Sequence, residues 1–173
     1  MAAEKSAPTT SPDLAAVDQA IGDLVAKGMK ALAEYASYDQ AQIDHIVAKA
    51  AVAALDQHGD LADLAVKETG RGLFEDKAVK NIFACEHVTN SLKGLRTVGV
   101  IGHDELTGIT EIAEPVGVIA GVTPVTNPTS TAIFKALISL KTRNPIIFGF
   151  HPAAQESSVA AAKVVRDAAV AAG

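Results

Sequence analysis

Two near-continuous apolar runs, residues 116–122 and 146–150, each end at a proline corner, with one helix-length segment between them. Continuous rather than alternating apolar runs belong to strands buried on both faces, as in parallel sheets covered by helices. The first corner reads Thr123-Pro124-Val125-Thr126-Asn127-Pro128, and the second His151-Pro152. Strand, helix and strand in this order make a βαβ unit, whose crossover is expected to be right-handed. In open α/β sheets the corners at the carboxyl ends of the strands face the ligand crevice. The amide of Asn127 and the imidazole of His151 are therefore candidate site residues.

Upstream of this unit the periodicity is helical. Ser11, Pro12 and Asp13 read as N-cap, first position and first-turn acid of a helix running to about Tyr35. Leu14, Val17, Ile21, Leu24, Val25 and Leu32 recur along it at helical spacing. Asp39 and Gln42 predict a capping box for a second helix, with Ile43, Ile46, Val47 and Ala50 on one face and Gly59 as its stop. Asp60 opens a short third helix, ended by Gly70-Arg71-Gly72. A fourth runs from about Glu75 to Leu92, with Val79, Ile82, Phe83 and Val88 as its apolar residues. Val98, Val100 and Ile101 then predict a strand, residues 102–105 a turn, and residues 109–112 a half-buried second strand of a hairpin. Between the apolar runs, Pro128 suits the first helical position with Asn127 as N-cap, and the helix continues to Thr142. A last helix, about Gln155 to Ala172, carries Val159, Ala162, Val165 and Ala169 on one face, with Gly173 as its C-terminal cap.

Composition narrows the function classes. A hydrophobic fraction of 49% excludes a disordered chain, and with aromatics at 4% and no Trp the core must be built from Ala, Val, Ile and Leu. Net charge is −5, and no Lys/Arg cluster offers a nucleic-acid footprint. No apolar run is long enough to span a membrane. The single cysteine, Cys85, rules out an internal disulfide and suits a reducing, cytoplasmic setting. Beside Phe83 and Ala84 it reads as a small buried hydrophobe rather than a nucleophile. His45, His58, His87 and His103 have no metal-ligand spacing, so no metal site is expected. Lys135 and Lys141 read as solvated charges.

Four expected segments follow: a flexible tail at residues 1–12, a helical layer at 13–95, a hairpin at 96–114, and the start of a dinucleotide-binding α/β domain at 115–173. The fold class is α/β, with the helical layer, then the hairpin, then the start of a Rossmann-like parallel sheet. Two parallel strands are few against the five or six of a typical sheet, and the second would expose a bare edge. The chain is thus expected to be the N-terminal part of a longer α/β protein; the alternative is a partner chain that completes the sheet.

With these residues in view, the chain resembles the aldehyde dehydrogenase superfamily. Four helices, a hairpin, Glu114-Pro115-Val116-Gly117-Val118, the Asn-Pro corner, a helix and the His-Pro corner follow in that family's order. The string Thr123-Pro124-Val125-Thr126-Asn127-Pro128-Thr129-Ser130 is similar to the coenzyme-A-acylating branch, which includes the aldehyde half of bifunctional aldehyde–alcohol dehydrogenases. The likeness covers nearly the whole chain after the tail and is most specific across residues 111–152. It implies oxidation of an aldehyde through a thiohemiacetal on a cysteine, hydride transfer to NAD, and acyl transfer to coenzyme A.

The resemblance assigns roles residue by residue. Asn127 matches the asparagine whose amide holds the substrate oxygen as it becomes an oxyanion; from the residues alone it also reads simply as an N-cap before proline. Thr123, Pro124, Val125 and Thr126 would line the cofactor cleft, and His151 with Pro152 would contact the cofactor at the second corner. Many members carry Lys-Pro-Ala-Glu there; Ala154 stands in place of the acid, which leaves NADP open beside NAD. Gly117 and Gly121 do not form a Gly-x-Gly-x-x-Gly turn. Cys85 does not match the family's nucleophile, whose position lies downstream, so the chain alone is expected to be inactive. The hairpin matches the family's oligomerisation strands, implying a homo-oligomer. The remaining alternative is a non-catalytic assembly or regulatory subunit. A bare nucleotide-binding domain of another dehydrogenase class would need the missing glycine turn.

Overall fold

A computed structural model describes residues 13–173. The expected tail at residues 1–12, and with it Ser11 and Pro12, lies outside the described residues. The first helix, α1 (Leu14–Tyr35), is capped by Asp13, not Ser11: the Asp13 carboxylate accepts from Ala15 N at 3.1 Å and Ala16 N at 3.5 Å. A carboxylate at the N-cap satisfies orphan amides and suits the positive end of the helix dipole. α2 (Gln40–Asp56) begins with the expected capping box, Asp39 Oδ1 accepting from Gln42 N and Gln42 Oε1 from Asp39 N, both at 2.9 Å. Its break falls at Gln57 and not at Gly59, which lies inside α3 (His58–Thr69). Gly70, at φ 61, closes α3 in the left-handed conformation that a side chain disfavours.

The fourth helix is interrupted. α4 (Phe74–Ile82) passes through a π turn (Phe83–His87) into α5 (Val88–Leu92). Of its four expected apolar residues, Val79 and Phe83 are exposed and Ile82 and Val88 only partly buried, while Lys77, Ala78, Asn81, Ala84 and Cys85 are buried. Asn81 faces inward because both ends of its amide are matched. Its Nδ2 donates to His58 O at 2.9 Å and its Oδ1 accepts from Thr129 Oγ1 at 2.8 Å.

β1 (Gly99–Asp104) and β2 (Ile109–Ala113) form the antiparallel hairpin. β1 runs three residues further than the pattern suggests, and the turn is residues 105–108. Asp104 decides this by accepting from Leu106 N at 2.9 Å and Thr107 Oγ1 at 2.7 Å. β2 is exposed along most of its length, rather than half-buried, and its pairing partner is β1 alone among the strands of the described residues.

The βαβ unit is present as expected: β3 (Ile119–Val122), α6 (Pro128–Lys141) and β4 (Ile146–Gly149), with β3 and β4 parallel and Val122 opposite Gly149. The strands meet closely at Gly121, where an added Cβ would lie 2.7 Å from Ile146 Cδ1. After a 3₁₀ turn (Pro152–Ala154), α7 (Gln155–Ala172) closes the chain, with Ala161, Val165 and Ala169 buried. Val159 and Ala162, expected on that face, are only partly buried; Ser157 and Ser158 take the inner positions near its start.

The core lies between helices. Ile43, Val47 and Ala50 of α2, Ala132, Ile133 and Leu137 of α6, and Ala161 and Val165 of α7 are almost wholly removed from water. Small alanines let these helices approach closely, as the scarcity of aromatics implies. The parallel pair is less covered than its sequence suggests: Val122 is 70% exposed, since β3 and β4 have no further strand among the described residues. Along the open edge of β4, a groove of about 700 Å³ runs between α1 and α7, lined by Leu24, Tyr35, Ile147, Phe148, Val165 and Val170. α1 buries no residue completely, and Ile21 and Met29 are half exposed.

Lys141 also departs from expectation. It is 1% exposed and ion-paired with Asp44 of α2. Gln40 reinforces the pair, donating to Asp44 Oδ1 at 2.9 Å, and Thr97 Oγ1 bonds Lys141 O at 2.6 Å. A lysine so deeply buried requires such a partner.

Candidate active site

Because β3 and β4 are adjacent and parallel, their carboxyl ends lie side by side, and both corners emerge at the same end of the sheet. The Thr123 N–H extends the ladder by bonding Gly149 O at 3.0 Å. Thr123 is 2% exposed, and its hydroxyl has no hydrogen-bond partner among the described residues. Pro124 and Thr126 are exposed, while Val125 and Asn127 are partly buried.

Asn127 occupies the N-cap position of α6, with Pro128 next, as the sequence indicates. Its side chain does not cap, however: no bond runs from it to the α6 amides. Instead Asn127 Oδ1 accepts from the Lys80 ammonium at 3.0 Å. The Nδ2 end makes no hydrogen bond among the described residues and remains available as a donor.

One face of α4 holds this corner in place. Residues three and four apart on a helix are neighbours, and here Lys77, Lys80 and Asn81 reach successive points of the turn. Lys77 Nζ donates to Thr126 O at 3.0 Å, Lys80 to Asn127 Oδ1, and Asn81 accepts from Thr129 in the first turn of α6. Lys135 adds a third ammonium, donating to Val122 O at 2.6 Å. Among the described residues none of these three lysines forms an ion pair with a carboxylate. Burial, then the charge of Lys80, holds the Lys77 ammonium below the usual lysine range. The corner is thus electropositive, with one neutral amide N–H donor at its edge.

At the second corner, His151 is exposed and its Nδ1 accepts from Ala153 N at 3.1 Å. The neutral ring then carries its proton on Nε2, which is free to donate. Pro152 begins the 3₁₀ turn, and Ala154 is fully buried. A carboxylate does stand nearby, from an unexpected source. Glu68 of α3 accepts from Glu156 N at 2.7 Å and Ser157 N at 2.8 Å at the start of α7. Burial pushes the Glu68 carboxyl up, but the hydrogen bonds from α7 outweigh it and hold it below its ordinary range.

Cys85 is 3% exposed, and burial, followed by the charge of Glu86, pushes its thiol up to about 12. It is the small buried hydrophobe that its neighbours suggest. Sequence reasoning missed Lys77, Lys80 and Asn81. Their spacing along α4, polar residues recurring every third and fourth position, was the only local signal, and it resembles any solvated helix face.

The comparisons with known proteins agree with this architecture. The crystal structure of an acetylating aldehyde dehydrogenase from Geobacillus thermoglucosidasius superposes with a TM-score of 0.87 at 46% identity, covering 90% of this chain and 34% of that one. The fold is that of the N-terminal part of an acylating aldehyde dehydrogenase. The aldehyde dehydrogenase family model matches residues 4–173, and the chain belongs to that family. It is 67% identical over 159 residues to aldehyde-alcohol dehydrogenase 2 of Entamoeba histolytica, covering 91% of this chain and 18% of the relative. It is 53% identical over 150 residues to the bifunctional aldehyde-alcohol dehydrogenase AdhE of Escherichia coli K12, covering 87% of this chain and 17% of the relative. The chain therefore spans less than a fifth of the length of these curated relatives. No helix among the described residues is long and apolar enough to cross a membrane.

Proposed function

We propose that this chain supplies the oxyanion donor and part of the cofactor cleft of a coenzyme-A-acylating aldehyde dehydrogenase, which converts an aldehyde, CoA and NAD to acyl-CoA and NADH. The observation that carries this reading is the free Nδ2 of Asn127, presented at the carboxyl end of the parallel pair beside the Lys77 and Lys80 ammonium groups.

When a thiolate adds to an aldehyde carbonyl, the carbonyl oxygen gains a full negative charge. A fixed N–H donor and nearby positive charge favour that species over the neutral aldehyde, and removing one such donor costs about 10²–10³ in rate. In this reading Asn127 donates that hydrogen bond, a role supported by the Nδ2 that its contact with Lys80 leaves without a partner among the described residues. The nucleophile itself comes from outside this chain, since Cys85 is buried with a protonated thiol.

The donor chemistry at the second corner fits a dinucleotide: the exposed Nε2–H of His151 suits a ribose hydroxyl, and Pro152 shapes the approach. Thr123, Pro124, Val125 and Thr126 form the neighbouring wall. NAD, when bound, accepts the hydride. With Ala154 where an acid would bind the 2′-hydroxyl, no carboxylate at that position opposes a 2′-phosphate, so NADP is admitted as well. Coenzyme A is the acyl acceptor.

The exposed hairpin, with Ile109 and Ile112 each 59% exposed, is the assembly element of a homo-oligomer. Substituting both with Thr should lower the oligomeric mass in sedimentation; unchanged mass would remove this role. The activity is tested with the full-length protein that contains this chain. Aldehyde, CoA and NAD together should yield NADH and an acyl-CoA detected by mass. NADH formation that is independent of CoA, with free acid as product, would assign the protein to a hydrolytic branch instead.

A further inference from the structure

We infer that Lys80 is a positioning residue for Asn127, fixing which end of its amide faces the substrate; this rests on the oxyanion reading above. An asparagine at an N-cap ordinarily turns its oxygen toward the helix amides. That orientation would occupy Oδ1 at α6 and leave the direction of Nδ2 to the local backbone. Here the capping bond is absent and Oδ1 is held 3.0 Å from Lys80 Nζ. A lysine ammonium has donors and no acceptor, so it can pair only with the oxygen end. The amide is thereby locked with Nδ2 pointing away from α4.

Two further effects act in the same direction. A cation on the carbonyl end polarises the amide, which strengthens its N–H as a donor. The Lys80 charge, unpaired with any carboxylate among the described residues, also favours negative charge developing on the far side of Asn127. The frame is rigid because the residues flanking Lys80 on α4 are themselves held, Lys77 by Thr126 O and Asn81 by His58 O and Thr129 Oγ1. Lys80 is exposed, so its replacement removes little packing.

The test is a double-mutant cycle in the full-length protein, with Lys80→Met, Asn127→Ala and the combined variant, read as kcat for CoA-dependent aldehyde oxidation and as Kd for NAD. Lys80→Met should lower kcat about tenfold with Kd for NAD unchanged, and should have a much smaller effect in the Asn127→Ala background, where only the direct effect of its charge is left to lose. Lys80→Arg, which retains a cationic donor, should recover most of the rate. If Lys80→Met does not fold, Lys80→Ala gives the same cycle. Equal losses from Lys80→Met in both backgrounds would overturn the inference, because Lys80 would then act independently of Asn127. A wild-type kcat in Lys80→Met beside a large loss in Asn127→Ala would also overturn it while leaving the oxyanion role intact. A wild-type kcat in Asn127→Ala would overturn both.

Discussion

Lys80 of α4 donates to Asn127 Oδ1 at 3.0 Å, across 47 residues of sequence, and this contact replaces the capping bond that Asn127 would otherwise make to α6. The corner is therefore organised from a different helix from the one it begins. Lys77, Lys80 and Asn81 together tie α4 to residues 126–129, so the geometry of the site depends on how α4 packs.

The Lys141–Asp44 pair joins α6 to α2 in the same layer. Lys141 is buried, while the Asp44 side chain is 42% exposed, so the pair is only partly desolvated. Asp44→Ala strands a buried ammonium and should destabilise the fold by about 1–3 kcal/mol, below the full value of a wholly buried pair. The double substitution Asp44→Leu with Lys141→Met removes both charges and should recover most of that loss. Denaturant titration of the three proteins checks this; a double variant less stable than Asp44→Ala would contradict it.

The fold was legible wherever its cause is local. The Asp39 and Gln42 capping box, Gly70 at the end of α3, and Pro128 opening α6 all act within a few residues, and each stands where the pattern puts it. Errors arose where a distant partner decides. Lys141 reads as a surface charge until Asp44, 97 residues earlier, is seen beside it. The inner face of α4 carries Lys77 and Asn81 while Val79 and Phe83 face outward, because the partners of the inner residues lie on the Asn-Pro corner and α3. Of the candidate site, the positions of Asn127 and His151 on adjacent strand ends followed from the βαβ pattern. The lysines that surround Asn127 could not, since helical spacing does not say what a helix packs against.

Glu68 gives the clearest pH signature. Its carboxyl is held below the ordinary range in the folded state, so its contribution is present above the unfolded value, about 4.3, and is lost as pH falls through the folded value. Glu68→Gln cannot offer two carboxylate oxygens to Glu156 N and Ser157 N. The difference in Tm between wild type and Glu68→Gln should be largest near neutrality and vanish in acid. A pH-independent difference would show that Glu68 acts through packing alone.

Cys85 should be inert. With its thiol raised to about 12 and 3% exposed, the peptide containing it should resist iodoacetamide at pH 8 in the native protein and react fully after denaturation. Cys85→Ala should retain wild-type kcat. Rapid native alkylation accompanied by loss of activity would return Cys85 to the list of nucleophiles.

The placement of Asn127 is tested most directly by kcat of Asn127→Ala in the full-length protein, measured with aldehyde, CoA and NAD at saturation. Since Asn127 makes no capping bond, the substitution should leave stability nearly unchanged. The predicted result is a loss of about 10²–10³ in kcat with Kd for NAD preserved. A kcat within about twofold of wild type, far short of an oxyanion-donor loss, would contradict the assignment of Asn127 as the oxyanion donor.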